Sequence, residues 1–309
     1  MTAIEAVAVH LPERRVPIES LADELGLTTM QLKLFRRYHR LAEIRQQPQG
    51  DLADLLCAAV ANLKALAGRE DQVRYVIHAR TFPVVSPYPH NPLHQVRDRF
   101  GLDRASSFTV THQACASGLL ALDVAGRLLA ADPDPDARAL VLTGEKTFTH
   151  EARLVPETSV FSEGSAACLV SADGPRDRML AYAVNLRGEF DGDHEDTAAR
   201  FQREYHSSLA DAIDAAVAEA GLNLDQIDVM LPHNVNAVVW SKLCRRIGYP
   251  SERVLLDNVP VTGHMFCADA FVNYTTAQAA GLLRPGGHYL IAAAGSGRGA
   301  TFSAMVLTH

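Results

Sequence analysis

Apolar residues in this chain fall into two alternating textures. Short apolar runs bounded by polar residues, such as Val73-Arg-Tyr-Val-Ile-His78 and Ile227-Asp-Val-Met-Leu-Pro232, predict buried strands. Longer stretches that close on an arginine-rich turn and a glycine predict helices stopping there: Gln95 to Gly101, and Lys242 to Gly248. A β-rich stretch, Phe108-Thr-Val-Thr111, leads into an Ala/Leu helix pattern with Cys115 at the junction. Two further strands run straight into glycine, Ala139 to Gly144 and Tyr289 to Gly295.

These landmarks recur. Asp71 and Asp225 stand 154 residues apart, Gly101 and Gly248 147, Cys115 and His264 149, Gly144 and Gly295 151. Four landmarks in one order at a nearly constant offset predict a duplicated β-α-β-α-β unit, divided into residues 1–173 and 174–309. Alternating strands and helices predict an α/β fold with mainly parallel sheets covered by helices. In such sheets the strand-to-helix turns at the carboxyl ends carry the chemistry, and pseudo-symmetry brings the turns of both halves together.

Composition narrows the function. At 309 residues and 48% hydrophobic, the chain can bury a large core, and its net charge of −7 argues against a nucleic-acid binder. Five cysteines, at 57, 115, 168, 244 and 267, include no C-x-x-C pair, so neither a disulfide framework nor a zinc site is expected. Free thiols fit a reducing compartment. The run Gly192-Asp-His194-Glu195-Asp196 reads as a polar surface loop, because consecutive residues rarely converge on one ion. The first residues lack a basic flank and a long apolar region, and no stretch of about 18 apolar residues is expected to span a membrane. The expectation is a soluble cytoplasmic protein.

The candidate chemistry gathers at the turns. A thiol at position 115, at the first turn of a helix, faces unpaired backbone N–H groups and the positive end of the helix dipole, both of which favour the nucleophilic thiolate. His233 follows a strand and a proline, where an imidazole titrating near neutrality can move a proton; Asn236 is a candidate to orient it or a ligand amide. His264, after Gly263, opens the corresponding turn of the second half. Two imidazoles converging on a thiolate would polarise a thioester and shuttle a proton, with His233 taking the acceptor's proton and His264 assisting. Asp269 either orients a histidine or caps the following helix. The turn Gly295-Ser296-Gly297 offers backbone N–H groups, and those of Cys115 and Ser296 are the candidate oxyanion hole. Arg36, Arg37 and Arg40 form a basic cluster suited to a phosphate or an acidic partner. The proline-laden segment Thr81 to Pro92 is a candidate pocket lining or subunit contact.

In order along the chain, Val9-His-Leu-Pro-Glu13, Ala114-Cys115-Ala-Ser-Gly118, Phe161-Ser-Glu163-Gly164-Ser-Ala-Ala-Cys168, Pro232-His233-x-x-Asn236 and the 295–297 turn resemble the thiolase superfamily, in its ketoacyl carrier-protein synthase III branch. The resemblance implies the five-layer αβαβα thiolase fold with two pseudo-duplicated halves, a homodimer, Cys115 as acyl-accepting nucleophile and His233 as its histidine partner. His264 falls where that branch carries asparagine. The stretches Asn258 to Asp269 and Ala300 to Val306 look like the synthase III-like acyltransferases of antibiotic biosynthesis, which move an acyl or aryl group from a carrier protein onto an acceptor. Some of these are described with Cys-His-Asp, which leaves the role of Asp269 open. Coenzyme A-primed members stack the adenine on a tryptophan in the N-terminal third. The single Trp here is Trp240, so an acyl carrier protein docking at the arginine cluster is the expected donor. The substrate would bring its own phosphopantetheine arm, and no resident cofactor or metal is expected.

Overall fold

The computed structural model describes residues 1–309 apart from Tyr88, His150, Glu151, Pro156, residues 191–194 and Arg298, and apart from the side chains of residues 195–199, Ser296, Gly297 and Gly299. The loop expected at 192–196 therefore lies largely outside the described residues. The first half supplies β1 (Ala3–His10), β2 (Val73–Ala79), β3 (Ser106–Val110), β4 (Arg138–Glu145) and β5 (Gly164–Ser171). The second supplies β6 (Arg178–Arg187), β7 (Ile227–Pro232), β8 (His288–Gly297) and β9 (Gly299–Thr308).

All nine strands lie in one sheet, ordered β7-β8-β9-β6-β1-β5-β4-β2-β3. The halves meet at a β1–β6 seam whose register pairs Ala3 with Arg178. Outward from the seam, β1-β5-β4-β2-β3 on one side matches β6-β9-β8-β7 on the other. The counterpart of β3 is reduced to a single bridge between Met230 and Val254. The chain crosses from one half to the other in the turn between Ser171 and Arg178.

The expected parallel pairing holds only toward the outer edges, at β2–β3, β2–β4 and β7–β8. The other five adjacent pairs are antiparallel. The reason is connectivity. The chain passes from β4 to β5 and from β8 to β9 without the helical crossover that a parallel neighbour requires.

Among the described residues, the six longer helices cover this sheet: α1 (Leu52–Asn62), α2 (Pro92–Phe100), α3 (Ser117–Ala131), α4 (Glu195–Glu219), α5 (Ala237–Ile247) and α6 (Asp269–Ala279). Helices α2 and α5 end at Gly101 and Gly248, both left-handed, as their sequences predict. Alternation along β4 shows how the layers form. Ala139 and Val141 join a core shared with α3, α6 and strands of both halves, while Leu140 and Leu142 join a core under α1 and α2. A third core lies between the second half-sheet and α4 and α5. The result is five layers, helix–sheet–helix–sheet–helix, with α3 and α6 in the middle. Strands buried on both faces read as unbroken apolar runs, which is the texture of this sequence.

One expectation needs correction. Ala114–Ala131 spans 18 residues with a mean hydropathy of 1.5, long and apolar enough to cross a membrane on those two criteria. Its apolarity follows from its place as a middle-layer helix between two half-sheets, where Leu119, Leu122 and Ala125 are buried.

Candidate active site

The ends of β3, β4 and β7 and the starts of α3 and α6 converge where the halves meet. Cys115 lies in a 3-10 turn, Ala114–Ala116, that feeds α3; a matching turn, Phe266–Ala268, feeds α6. Ala114 and Phe266 both hold positive φ, +45° and +54°. Left-handed backbone at a non-glycine residue costs on the order of 1–3 kcal/mol, and here it recurs at equivalent places in both halves. The structural counterpart of Cys115 is thus Cys267, not His264, and the offset that pairs Cys115 with His264 is three residues short.

Small residues let these turns touch. A Cβ on Gly295 would fall 2.0 Å from the Gln113 carbonyl oxygen, so the end of β8 presses directly on the turn that presents Cys115. On Gly118 a Cβ would meet the Cys267 carbonyl oxygen at 3.2 Å. The Cys267 thiol donates to Ala114 O at 3.3 Å.

Cys115 is buried, and its Sγ stands 3.2 Å from His264 Nε2. On the far side of the ring, Nδ1–H donates to Asp269 Oδ2 at 2.5 Å. Asp269 opens α6, and its carboxylate also accepts the Met265 and Asn234 N–H groups, at 2.7 and 2.6 Å. Three donors leave it little freedom. Burial alone would lower the His264 pKa, but the Asp269 carboxylate, and after it Cys115, outweigh burial and raise it to about 10. The ring is therefore an imidazolium at neutral pH, with one N–H aimed at the sulfur. That arrangement sets a hydrogen-bond donor directly against the sulfur.

The first half holds His264 in place. Ser162 N–H donates to His264 O at 2.8 Å, and His264 N–H donates to Val160 O at 3.3 Å. Phe161 stacks on the imidazole with centroids 4.9 Å apart, and Phe266 stacks on Phe161 at 4.1 Å. Phe82 meets Phe266 edge-on at 5.5 Å, which extends the apolar cluster that includes Cys115.

His233 occupies a different position. Its ring centroid is 5.7 Å from that of His264. Its Nε2 bonds the Tyr205 hydroxyl at 2.7 Å, and its carbonyl accepts the Trp240 indole N–H at 3.0 Å. Burial, and then the positive charge of His264, push its pKa well below the ordinary value, so the ring is neutral. The two imidazoles differ in partners and in charge, and His264 is the one at hydrogen-bonding distance from the sulfur.

The remaining expected residues lie around this centre. Asn236 caps α5, with its Oδ1 accepting the Val239 N–H and its Nδ2 donating to Thr158 O, so its amide is committed away from both histidines. Ser296 lies on β8 opposite Ala300, one residue past the Gly295 contact; its side chain is outside the described residues. Arg36, Arg37 and Arg40 are exposed, with Arg36 paired to Glu19. Their segment packs against α5, which exposes Lys242, Arg245 and Arg246.

Three residues around this centre carry no sequence signal. Thr81 directs its hydroxyl at Cys115 Sγ, 3.5 Å away, and stands 3.9 Å from Cys267 Sγ. Glu145, at the end of β4, accepts the Thr81 and Phe82 N–H groups at 2.6 and 2.9 Å and so fixes that segment. Burial lifts the Glu145 pKa to about 7 against the pull of those donors. Tyr205, on α4, is the third.

Comparison with known proteins agrees with this architecture. Residues 217–309 match the family described as 3-oxoacyl-(acyl-carrier-protein) synthase III C terminal. The chain is 28% identical over 289 residues to the beta-ketoacyl-(acyl-carrier-protein) synthase III of Nitratidesulfovibrio vulgaris, covering 85% of this chain and 83% of that one. It is 27% identical over 328 residues to the synthase III of Paracoccus denitrificans, covering 96% of each. Among solved structures, the acyltransferase ChlB3 superposes with a TM-score of 0.85 at 19% identity, covering 99% of this chain and 97% of that one. The Thermus thermophilus synthase III gives 0.83 at 20% identity, covering 99% of both. The tetronic acid condensing enzyme AbyA1 gives 0.77 at 18% identity and full coverage of both. The fold is therefore that of the thiolase-like synthase III structures.

Proposed function

We propose that this protein is an acyltransferase of the ketosynthase III family. It takes an acyl or aryl group from a carrier-protein or coenzyme A thioester onto Cys115 and passes it to a hydroxyl, amine or second thiol acceptor. The line from Cys115 Sγ through His264 to Asp269 carries this reading, because it activates a sulfur and returns a proton at the same site. In the first step the Cys115 thiolate attacks the thioester carbon. The C–S bond to the pantetheine arm breaks, and His264 Nε2–H gives its proton to the departing thiol. In the second step neutral His264 takes the acceptor's proton, the acceptor attacks the acyl carbon, and Cys115 leaves as thiolate. Splitting the transfer through a covalent intermediate is what a cysteine nucleophile supplies. Backbone N–H groups at Cys115 and Ser296 would receive the oxyanion; the contact of Gly295 with Gln113 brings those segments together.

The donor would be an acidic carrier protein docking on the face where Arg36, Arg37 and Arg40 adjoin Lys242, Arg245 and Arg246. Secondary-metabolite assembly is our reading of the pathway, on the likeness to ChlB3 and AbyA1. A homodimer is the working form we propose by the same likeness, and five free buried thiols support a cytoplasmic setting.

Intact mass measurement against a panel of acyl-carrier thioesters tests this directly. An acyl adduct on the wild type that is absent in Cys115→Ala, and discharged by an added acceptor, is the expected result. The names of the two relatives favour a second reading, decarboxylative carbon–carbon condensation. Carbon dioxide release from malonyl-carrier protein, with a ketoacyl product, would select it.

A further inference from the structure

His233 and Tyr205 form a hydrogen-bonded pair beside His264. The Ala294 N–H points at His233 Nδ1 from 3.5 Å, which makes Nδ1 the accepting nitrogen and places the ring proton on Nε2. That Nε2–H donates to Tyr205 Oη at 2.7 Å. Tyr205 is held edge-on by Phe201 and Phe302, with centroids 5.6 and 5.5 Å away. Burial, and then the charge of Cys115, drive its pKa upward, so the phenol keeps its proton. Through His233, whose ring centroid lies 5.7 Å from that of His264, Tyr205 adjoins the imidazole that meets Cys115 Sγ. Its oxygen is already an acceptor from His233. Among the described residues no other polar partner takes its O–H, which is left as the terminal donor of a polarised chain.

We propose that Tyr205 orients the acceptor substrate and selects an alcohol. This rests on the acyl-Cys115 reading above. An alcohol oxygen has two lone pairs: one accepts from Tyr205 while the other attacks the acyl carbon, and the alcohol proton goes to His264 Nε2. A neutral amine has a single lone pair, which a hydrogen bond from Tyr205 would block. A thiol sulfur accepts hydrogen bonds weakly and gains little orientation. Ester formation breaks the acyl–sulfur bond, returns Cys115 as thiolate and leaves His264 protonated for the next cycle.

The test uses Cys115 pre-acylated from an acyl-N-acetylcysteamine thioester in wild type and in Tyr205→Phe. Matched acceptors are 2-phenylethanol, 2-phenylethylamine and 2-phenylethanethiol, and adduct loss is followed by intact mass. Loading is expected to agree within about threefold between the two proteins. Discharge by the alcohol should fall on the order of a hundredfold in Tyr205→Phe, as when one positioned donor is removed from a reaction centre. Discharge by the amine and thiol should change by less than about threefold, because neither uses that donor. Unchanged alcohol discharge, an equal fall for all three acceptors, slowed loading, or an adduct that none of the three discharges overturns the assignment. Absence of any wild-type adduct instead removes the acyl-enzyme itself, and this inference with it.

Discussion

At neutral pH the Glu145 carboxyl sits between its two charge states, because burial has carried its pKa from 4.5 to about 7. The raised value means the folded protein prefers the protonated form. Its contribution to stability is complete below pH 4.5 and is lost as pH rises through 7. The shift corresponds to on the order of 3 kcal/mol between those limits. Urea unfolding at pH 5 and pH 8 should therefore show a wild-type loss that is smaller in Glu145→Gln by about that amount; equal losses would contradict the assignment. Nothing in the sequence singles out this residue. Its meaning comes from two N–H groups more than 60 positions earlier, at Thr81 and Phe82, which no periodicity links to it. Tyr205 was equally hidden, as one aromatic residue on a long polar helix. Cys115, His233 and His264 could be singled out because each stands beside a turn that the apolar pattern itself marks, and the fold brings those turns together.

Among elements, the turn that carries Cys115 depends on its neighbours more than on its own sequence. Ala114 is held in left-handed backbone between α3 and the end of β8, and Gly295 supplies the space. Gly295→Ala would drive a methyl group to 2.0 Å from Gln113 O, and the turn must yield. The expected result is a folded protein with a near-native far-ultraviolet circular dichroism spectrum and acyl loading at least about tenfold slower, since a misplacement of about 1 Å can cost a hundredfold. Native loading would show that the turn adapts without moving the sulfur. The repeat was readable as elements but not in register. Constant offsets located both turns, yet the matching positive φ at Ala114 and Phe266 pairs Cys115 with Cys267. The sheet's polarity was also misread, because alternating textures do not reveal which strands connect without a crossover.

For the whole molecule, the meeting of two similarly built half-sheets explains why Cys115 and His264 are separated by 149 residues and yet touch. Each half alone presents one turn into the middle layer; only their union places a sulfur against an imidazole. At the far end, the buried Asp177 carboxylate accepts from Tyr274, Tyr289 and His309 at 2.8, 2.9 and 2.7 Å. It stands beside the β1–β6 seam, where Ile4 N–H reaches Asp177 O at 3.0 Å, and ties both halves to α6. The central claim is that the second half activates the first half's thiol through His264. Single-turnover loading of Cys115 in His264→Asn measures this most directly, since the asparagine amide can still meet Asp269 but leaves the sulfur without its imidazole. The account predicts an adduct still confined to Cys115 but formed slower by about three orders of magnitude. Loading at the wild-type rate would contradict it.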